Sequence, residues 1–210
     1  MNPFIHTLLF CALFFFTLKE LTEACSCLRA HPQEHFCHSD VVVRAKAIAE
    51  KRIPSTNKAY RTIMYTIKVI KMFKGFQKIK NLSYVYTESD SAMCGVKLDV
   101  VNKREYILSG YIYDNKVHID LCCFIQSWDS LSGFQIRSLS HTYQLGCECQ
   151  IKICAMDPCE SNDINECLWT DWVKDQMLYG NQAENYACIR HKDGSCGWYP
   201  NIFKKTTIHP

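Results

Sequence analysis

The chain has 210 residues, 48% of them hydrophobic, and a formal net charge of +3. So small a positive excess permits weak attraction to sulphated matrix polysaccharide but excludes the clustered charge of a nucleic-acid binder. Its 14 cysteines, 13 of them behind an apolar leader, point to an oxidising compartment and a disulfide-stapled fold.

Residues 1–24 read as a cleaved signal peptide. An apolar run, Ile5–Leu18, is followed by Leu21-Thr22-Glu23-Ala24, with small Thr22 and Ala24 where signal peptidase needs them. The run is shorter than the roughly 20 residues of a membrane span, so a retained signal anchor is the lesser reading. No other stretch approaches a span. Cleavage after Ala24 leaves 186 residues and a charge of +4, from 23 basic and 19 acidic side chains. That length suits one domain and a smaller one.

Cys25-Ser26-Cys27 would then open the mature chain. The α-amine and carbonyl of Cys25 can close a five-membered chelate ring on one metal ion, and an α-amino group of pKa about 7.7–8.0 gives up its proton readily to zinc. Such a terminus could plug another protein's catalytic zinc, held in shape by the half-cystines flanking Ser26. His31, His35, Cys37 and His38 do not read as an intrinsic metal site. Pro32 works against a helix presenting His31 and His35 on one face, and Cys37 is expected in a disulfide.

From Val41 to Asp120 the chain reads as β-rich. Val41, Val43, Ala45, Ala47 and Ala49 alternate with Arg44, Lys46 and Glu50, and Ile63, Tyr65, Ile67 and Val69 with Met64, Thr66, Lys68 and Ile70. Shorter strands are expected at Leu82–Tyr86, Gly95–Val100, Tyr106–Tyr113 and Lys116–Ile119, and this many short strands favours a small closed barrel. Asn81-Leu82-Ser83 is a candidate glycan-acceptor sequon, unless it enters its strand too early to be modified. Helices are expected at Cys122–Trp128 and Leu131–Tyr143. Gly146 punctuates the chain, so a boundary is expected near Cys147-Glu148-Cys149, giving domains 25–147 and 148–210. The second is cysteine-dense and weak in strand periodicity. Within it Glu166–Val173 reads as helical, with Trp169 and Trp172 on one face.

Thirteen cysteines remain after the leader. The number is odd, so one is unpaired, blocked or intermolecular, and Cys123 beside Cys122 is the extra one. The sequence alone leaves the pairing open. There is no His-Glu-x-x-His, Gly-x-Ser-x-Gly or phosphate loop, and no nucleophile motif surrounds Cys123, so an enzyme is not expected.

Cys25-Ser26-Cys27, His31-Pro32-Gln33, Val41–Lys46, Ile67–Phe76, Cys94–Leu98 and Glu166–Trp172 together resemble the tissue inhibitors of metalloproteinases. The resemblance spans the mature chain. It implies a mainly β fold with helices, an OB-type five-stranded β-barrel (netrin-like domain), and a small disulfide-rich C-terminal subdomain. It also implies the bridges Cys25–Cys94, Cys27–Cys122, Cys37–Cys147, Cys149–Cys196, Cys154–Cys159 and Cys167–Cys188. Cys123 is left over, where the family usually carries a polar residue.

The function implied is tight, non-covalent, 1:1 inhibition of secreted matrix metalloproteinases and related zinc proteases, in the extracellular space or matrix. No cofactor of its own is implied. Cys25 would ligate the target's zinc, Ser26 would enter the pocket below it, and Cys27, Leu28 and Arg29 would follow the primed cleft. Ser91, Ala92 and Met93 would lie on the unprimed side. Leu28-Arg29 departs from the smaller or proline-containing pair common in the family. The tail Phe203–Pro210 is basic where a gelatinase-docking tail is acidic. A netrin-like extracellular binding module or signalling ligand without inhibitory activity is the alternative reading.

Overall fold

The structure is a computed structural model that describes residues 25–54 and 61–200. The leader 1–24 and the tail Phe203–Pro210 lie outside the described residues. No helix among the described residues is long and apolar enough to cross a membrane.

Six strands build the main sheet: β1 (Val41–Ile53), β2 (Thr62–Lys74), β3 (Tyr84–Glu88), β4 (Glu105–Tyr113), β5 (Lys116–His118) and β6 (Ile125–Ser127). They lie in the order β1-β2-β3-β5-β4-β6, and a β1–β4 pairing closes the first five into a barrel. β1 serves both neighbours because its register with β2 shifts three times, at Val42/Val43, Arg44/Ala45 and Ala47/Ala49. Such bulges bend and twist a strand, which lets one long strand turn the barrel's corner. Alternation sends Val41, Val43, Ala45 and Ala47 inward to meet Ile63, Tyr65, Ile67, Val85 and Leu108 in the barrel core.

The other face of β1 is not left to solvent. Val42 and Ile107 are buried in a second core with Phe36 of α1 (Pro32–His38), Phe124, Leu131, Tyr143, and Phe134 and Leu139 in and beside α2 (Gly133–Ser138). Ala187, from the chain beyond Cys147, belongs to the same cluster. That later chain forms a parallel pair, β7 (Gln150–Ile153) with β8 (Glu166–Trp169), and an antiparallel pair, β9 (Tyr186–Arg190) with β10 (Cys196–Pro200). Two short helices, α3 (Asp171–Asp175) and α4 (Asn181–Asn185), complete it.

Several expected elements differ. Gly95–Val100 is not a strand, because its amides are taken by side chains: Thr87 Oγ1 accepts from Val96 N at 3.1 Å and the Tyr65 hydroxyl from Leu98 N at 3.3 Å. Cys122–Trp128 is not helical. Asp120 holds the Cys122 and Cys123 amides in a turn, after which β6 joins β4. Within Leu131–Tyr143 only α2 is an α-helix, started by a capping box in which Ser132 and Gln135 exchange hydrogen bonds. Glu166–Val173 is a strand followed by a helix, so Trp169 is 1% exposed and Trp172 39%. Pro32 begins α1 rather than preventing it: it occupies the first turn, where its missing N–H costs nothing, and His31 is the N-cap.

Candidate functional site

Residues 25–30 form neither helix nor strand. What shapes them is covalent. Cys25 is bridged to Cys94, after β3, and Cys27 to Cys122, before β6, with Cα separations of 5.2 and 5.1 Å. The two anchor points are themselves tied, because Leu121 N donates to Cys94 O at 2.9 Å. The sulfurs of Cys25, Cys94 and Cys122 lie within 4.8 Å of one another, yet all are spent in bridges and none is a thiolate ligand. Any metal chemistry at Cys25 therefore falls to its backbone nitrogen and oxygen.

Two exposed segments flank this knot. On one side Ser26, Cys27, Leu28 and Arg29 are all exposed, Leu28 to 95%. On the other, Ser91, Ala92 and Met93 form an exposed 3-10 turn, capped by Asp90, whose Oδ1 accepts from Ala92 N at 2.9 Å. Cys94 ends that turn with φ 61°, and Gly95 follows where an added Cβ would lie 2.2 Å from Glu88 O. Only glycine fits so close an approach. The Cys25–Cys94 bridge thus joins half-buried Cys25, ahead of exposed Ser26–Arg29, to the residue that follows the exposed Ser91–Met93 turn.

Downstream the segment enters protein. His31 is fully buried between Trp169 and Trp198, 5.3 Å from each ring. Its Nδ1 accepts from Gln33 N and its backbone N–H donates to Glu34. Burial lowers the His31 pKa to about 4, so the ring is neutral at physiological pH. Gln33 acts as a piece of strand edge: Cys188 N donates to its Oε1 at 2.7 Å, and its Nε2 donates to Cys188 O at 2.6 Å. Just before, the Arg29 guanidinium sits 5.1 Å over the Trp172 ring, and the Tyr179 hydroxyl donates to Ala30 O at 3.4 Å. A groove of about 220 Å³ between Leu28 and Tyr179 is lined also by Cys27, His35 and Phe124. The sequence pairs Trp172 with Trp169 on one face, without linking it to Arg29, and gives no sign of Tyr179. Their partners lie more than a hundred residues away, and no local periodicity reports such a contact.

The remaining bridges are Cys37–Cys147, Cys149–Cys196, Cys154–Cys159 and Cys167–Cys188. Cys123 is a free thiol, pushed up to about 12 chiefly by burial, which makes it a poor nucleophile. Asn81 is exposed and precedes the first residue of β3, Tyr84, so its side chain is open to modification.

The fold is a closed five-stranded barrel with Cys25 and Cys27 bridged to two neighbouring loops. The profile described as Tissue inhibitor of metalloproteinase matches residues 23–198. The chain is 51% identical over 181 residues to metalloproteinase inhibitor 4 of Mus musculus, covering 84% of this chain and 81% of that protein. It is 50% identical over 188 residues to metalloproteinase inhibitor 2 of Homo sapiens, covering 87% and 84%. Bos taurus metalloproteinase inhibitor 2 is 47% identical over 197 residues, 91% of this chain and 89% of that one. The chain belongs to the tissue inhibitor of metalloproteinase family, which sets it among protease inhibitors and not enzymes.

Proposed function

We propose that this protein is a secreted inhibitor of matrix metalloproteinases and related zinc endopeptidases, acting 1:1 through the amine and carbonyl of Cys25 at the target's catalytic zinc. The zinc is the target's own. Chelation displaces the water that the protease activates for hydrolysis. Ser26 directs a small hydroxyl into the pocket below the metal, Cys27, Leu28 and Arg29 run along the primed cleft, and Ser91, Ala92 and Met93 cover the unprimed side. The observation that carries this reading is the pair of bridges that anchor Cys25 and the exposed Ser26–Arg29 segment, the first of them to the residue after the exposed Ser91–Met93 turn. A segment bolted in this way loses little conformational entropy on binding. We further propose that the inhibitory unit is 25–147, with 148–210 a C-terminal subdomain, and that secretion puts the protein in the extracellular space or matrix, with Asn81 available for a glycan.

The test is one extra alanine ahead of Cys25. It converts the amine into a planar amide that coordinates zinc poorly, and it touches neither barrel nor bridges. Losing about 4 kcal/mol of binding would weaken inhibition roughly a thousandfold. The thermal melt should be unchanged. Unaltered inhibition would refute chelation and favour inhibition through an exosite.

A further inference from the structure

Leu28, Arg29 and Ala30 bridge two fixed points: Cys27, bonded to Cys122, and His31, buried between Trp169 and Trp198. No strand ladder orders the three residues between them. Arg29 and Ala30 are instead met by the chain beyond Cys147. Trp172 lies under the Arg29 guanidinium at 5.1 Å, and Tyr179 donates to Ala30 O at 3.4 Å. Trp172 and Tyr179 keep 39% and 41% of their surface exposed, and Tyr179 borders the same groove as Leu28. An arginine has no ring to fix its φ, whereas a proline at this place would supply that restraint covalently.

We infer that Trp172 is a positioning residue for target recognition: by stacking on Arg29 it fixes the chain at the primed-side segment and so sets how Leu28 is presented to the protease. The inference rests on the inhibitory reading above and adds a role for the C-terminal part in choosing among targets. Trp172 acts through Arg29, replacing a backbone restraint with a cation–π contact, which is effective because the guanidinium is planar and weakly hydrated. Tyr179 holds the next carbonyl. Together they turn a three-residue tether into a shaped ligand, which reduces the ordering cost of binding.

The experiment uses the full secreted chain, a panel of matrix metalloproteinases, and the variants Trp172→Ala, Trp172→Phe, Arg29→Ala and Trp172→Ala with Arg29→Ala. Trp172→Ala is expected to raise the inhibition constant about three- to tenfold, unevenly across the panel, with the melting temperature nearly unchanged. Trp172→Phe, which keeps a ring face, should recover most of the loss. The double variant should be no worse than the weaker single one, because both remove the same contact. Wild-type inhibition by Trp172→Ala across the panel, or additive losses in the double variant, would overturn the inference while leaving Cys25 chelation standing. If the wild-type chain inhibits none of the panel, both readings fail together.

Discussion

The barrel and the chain beyond Cys147 are organised around opposite kinds of centre. In the barrel, aliphatic side chains from five strands meet, and the few buried polar groups include the Tyr65 hydroxyl, which donates to Val96 O at 3.2 Å, and Thr87 and Ser109. Beyond Cys147 the centre is a carboxylate. Asp171 is 2% exposed and accepts from Trp169 Nε1 and from the amides of Gly180, Gln182 and Ala183, at 2.7–3.0 Å. The bridges differ in the same sense. Those that fasten the barrel span 69, 95 and 110 residues; the later ones span 47, 5 and 21. By loop-closure entropy the longest constrain the unfolded chain by about 4–5 kcal/mol each and the shortest by about 2. A unit with a real core spreads its stability over many contacts, whereas a small one concentrates it in a few polar ones.

That contrast is broken most severely at Asp171. Replacing it by alanine strands a buried indole N–H and three amides, an expected local loss of about 3 kcal/mol or more. Hydrogen exchange should accelerate across 166–190 while β1, β2 and β4 stay protected; equal acceleration in the barrel would mean that the two units do not differ as described.

His31, on the seam between them, gives the next largest effect. An unfolded histidine titrates near 6.5 and this one at about 4, so between those values the unfolded chain holds the extra proton. The stabilisation is complete above pH 6.5 and is lost as pH falls toward 4, by about 3 kcal/mol. Half-buried His35 is shifted the same way by desolvation and adds to the slope; Glu34, raised by desolvation, opposes it above 4.5. Melts of the wild type and His31→Asn between pH 7.5 and 5 should differ in slope, the variant being flatter. Parallel curves would place the protonation elsewhere.

How much of this could be read in advance follows the range of the interactions. β1, β2 and β4 are legible because a half-buried strand writes its alternation into neighbouring residues, as in Val41, Val43, Ala45 and Ala47. Gly95–Val100 carries the same alternation, yet its amides bond to Thr87 and Tyr65 side chains, a choice that no window of residues encodes. β6 and β8 were read as helix because their ladders lie on distant strands, β4 and β7. At the candidate site the exposed cysteine pair was visible in the sequence, because its chemistry is local. Trp172 under Arg29 was not, since 142 intervening residues must fold first.

Tyr65→Phe probes the barrel's side of the comparison. It removes an acceptor from Leu98 N and a donor to Val96 O, both buried. The expected loss is about 1–2 kcal/mol, with looser exchange confined to 95–98 and a small weakening of targets that use Ser91–Met93. A loss above about 4 kcal/mol would show that the barrel too depends on one polar contact. The smallest effect is at Cys123. With its thiol pushed up to about 12, native protein should resist thiol reagents, and Cys123→Ser should change stability by less than about 1 kcal/mol. Rapid labelling of the native protein would contradict the raised thiol pKa.

Whether two backbone atoms of Cys25 occupy the target's zinc is decided by a crystal structure of this protein bound to a matrix metalloproteinase. The nitrogen and carbonyl oxygen of Cys25 should both lie about 2.0–2.2 Å from the catalytic zinc, with the water displaced and the Cys25–Cys94 bridge intact. A zinc that keeps its water, with Cys25 out of reach, would contradict chelation.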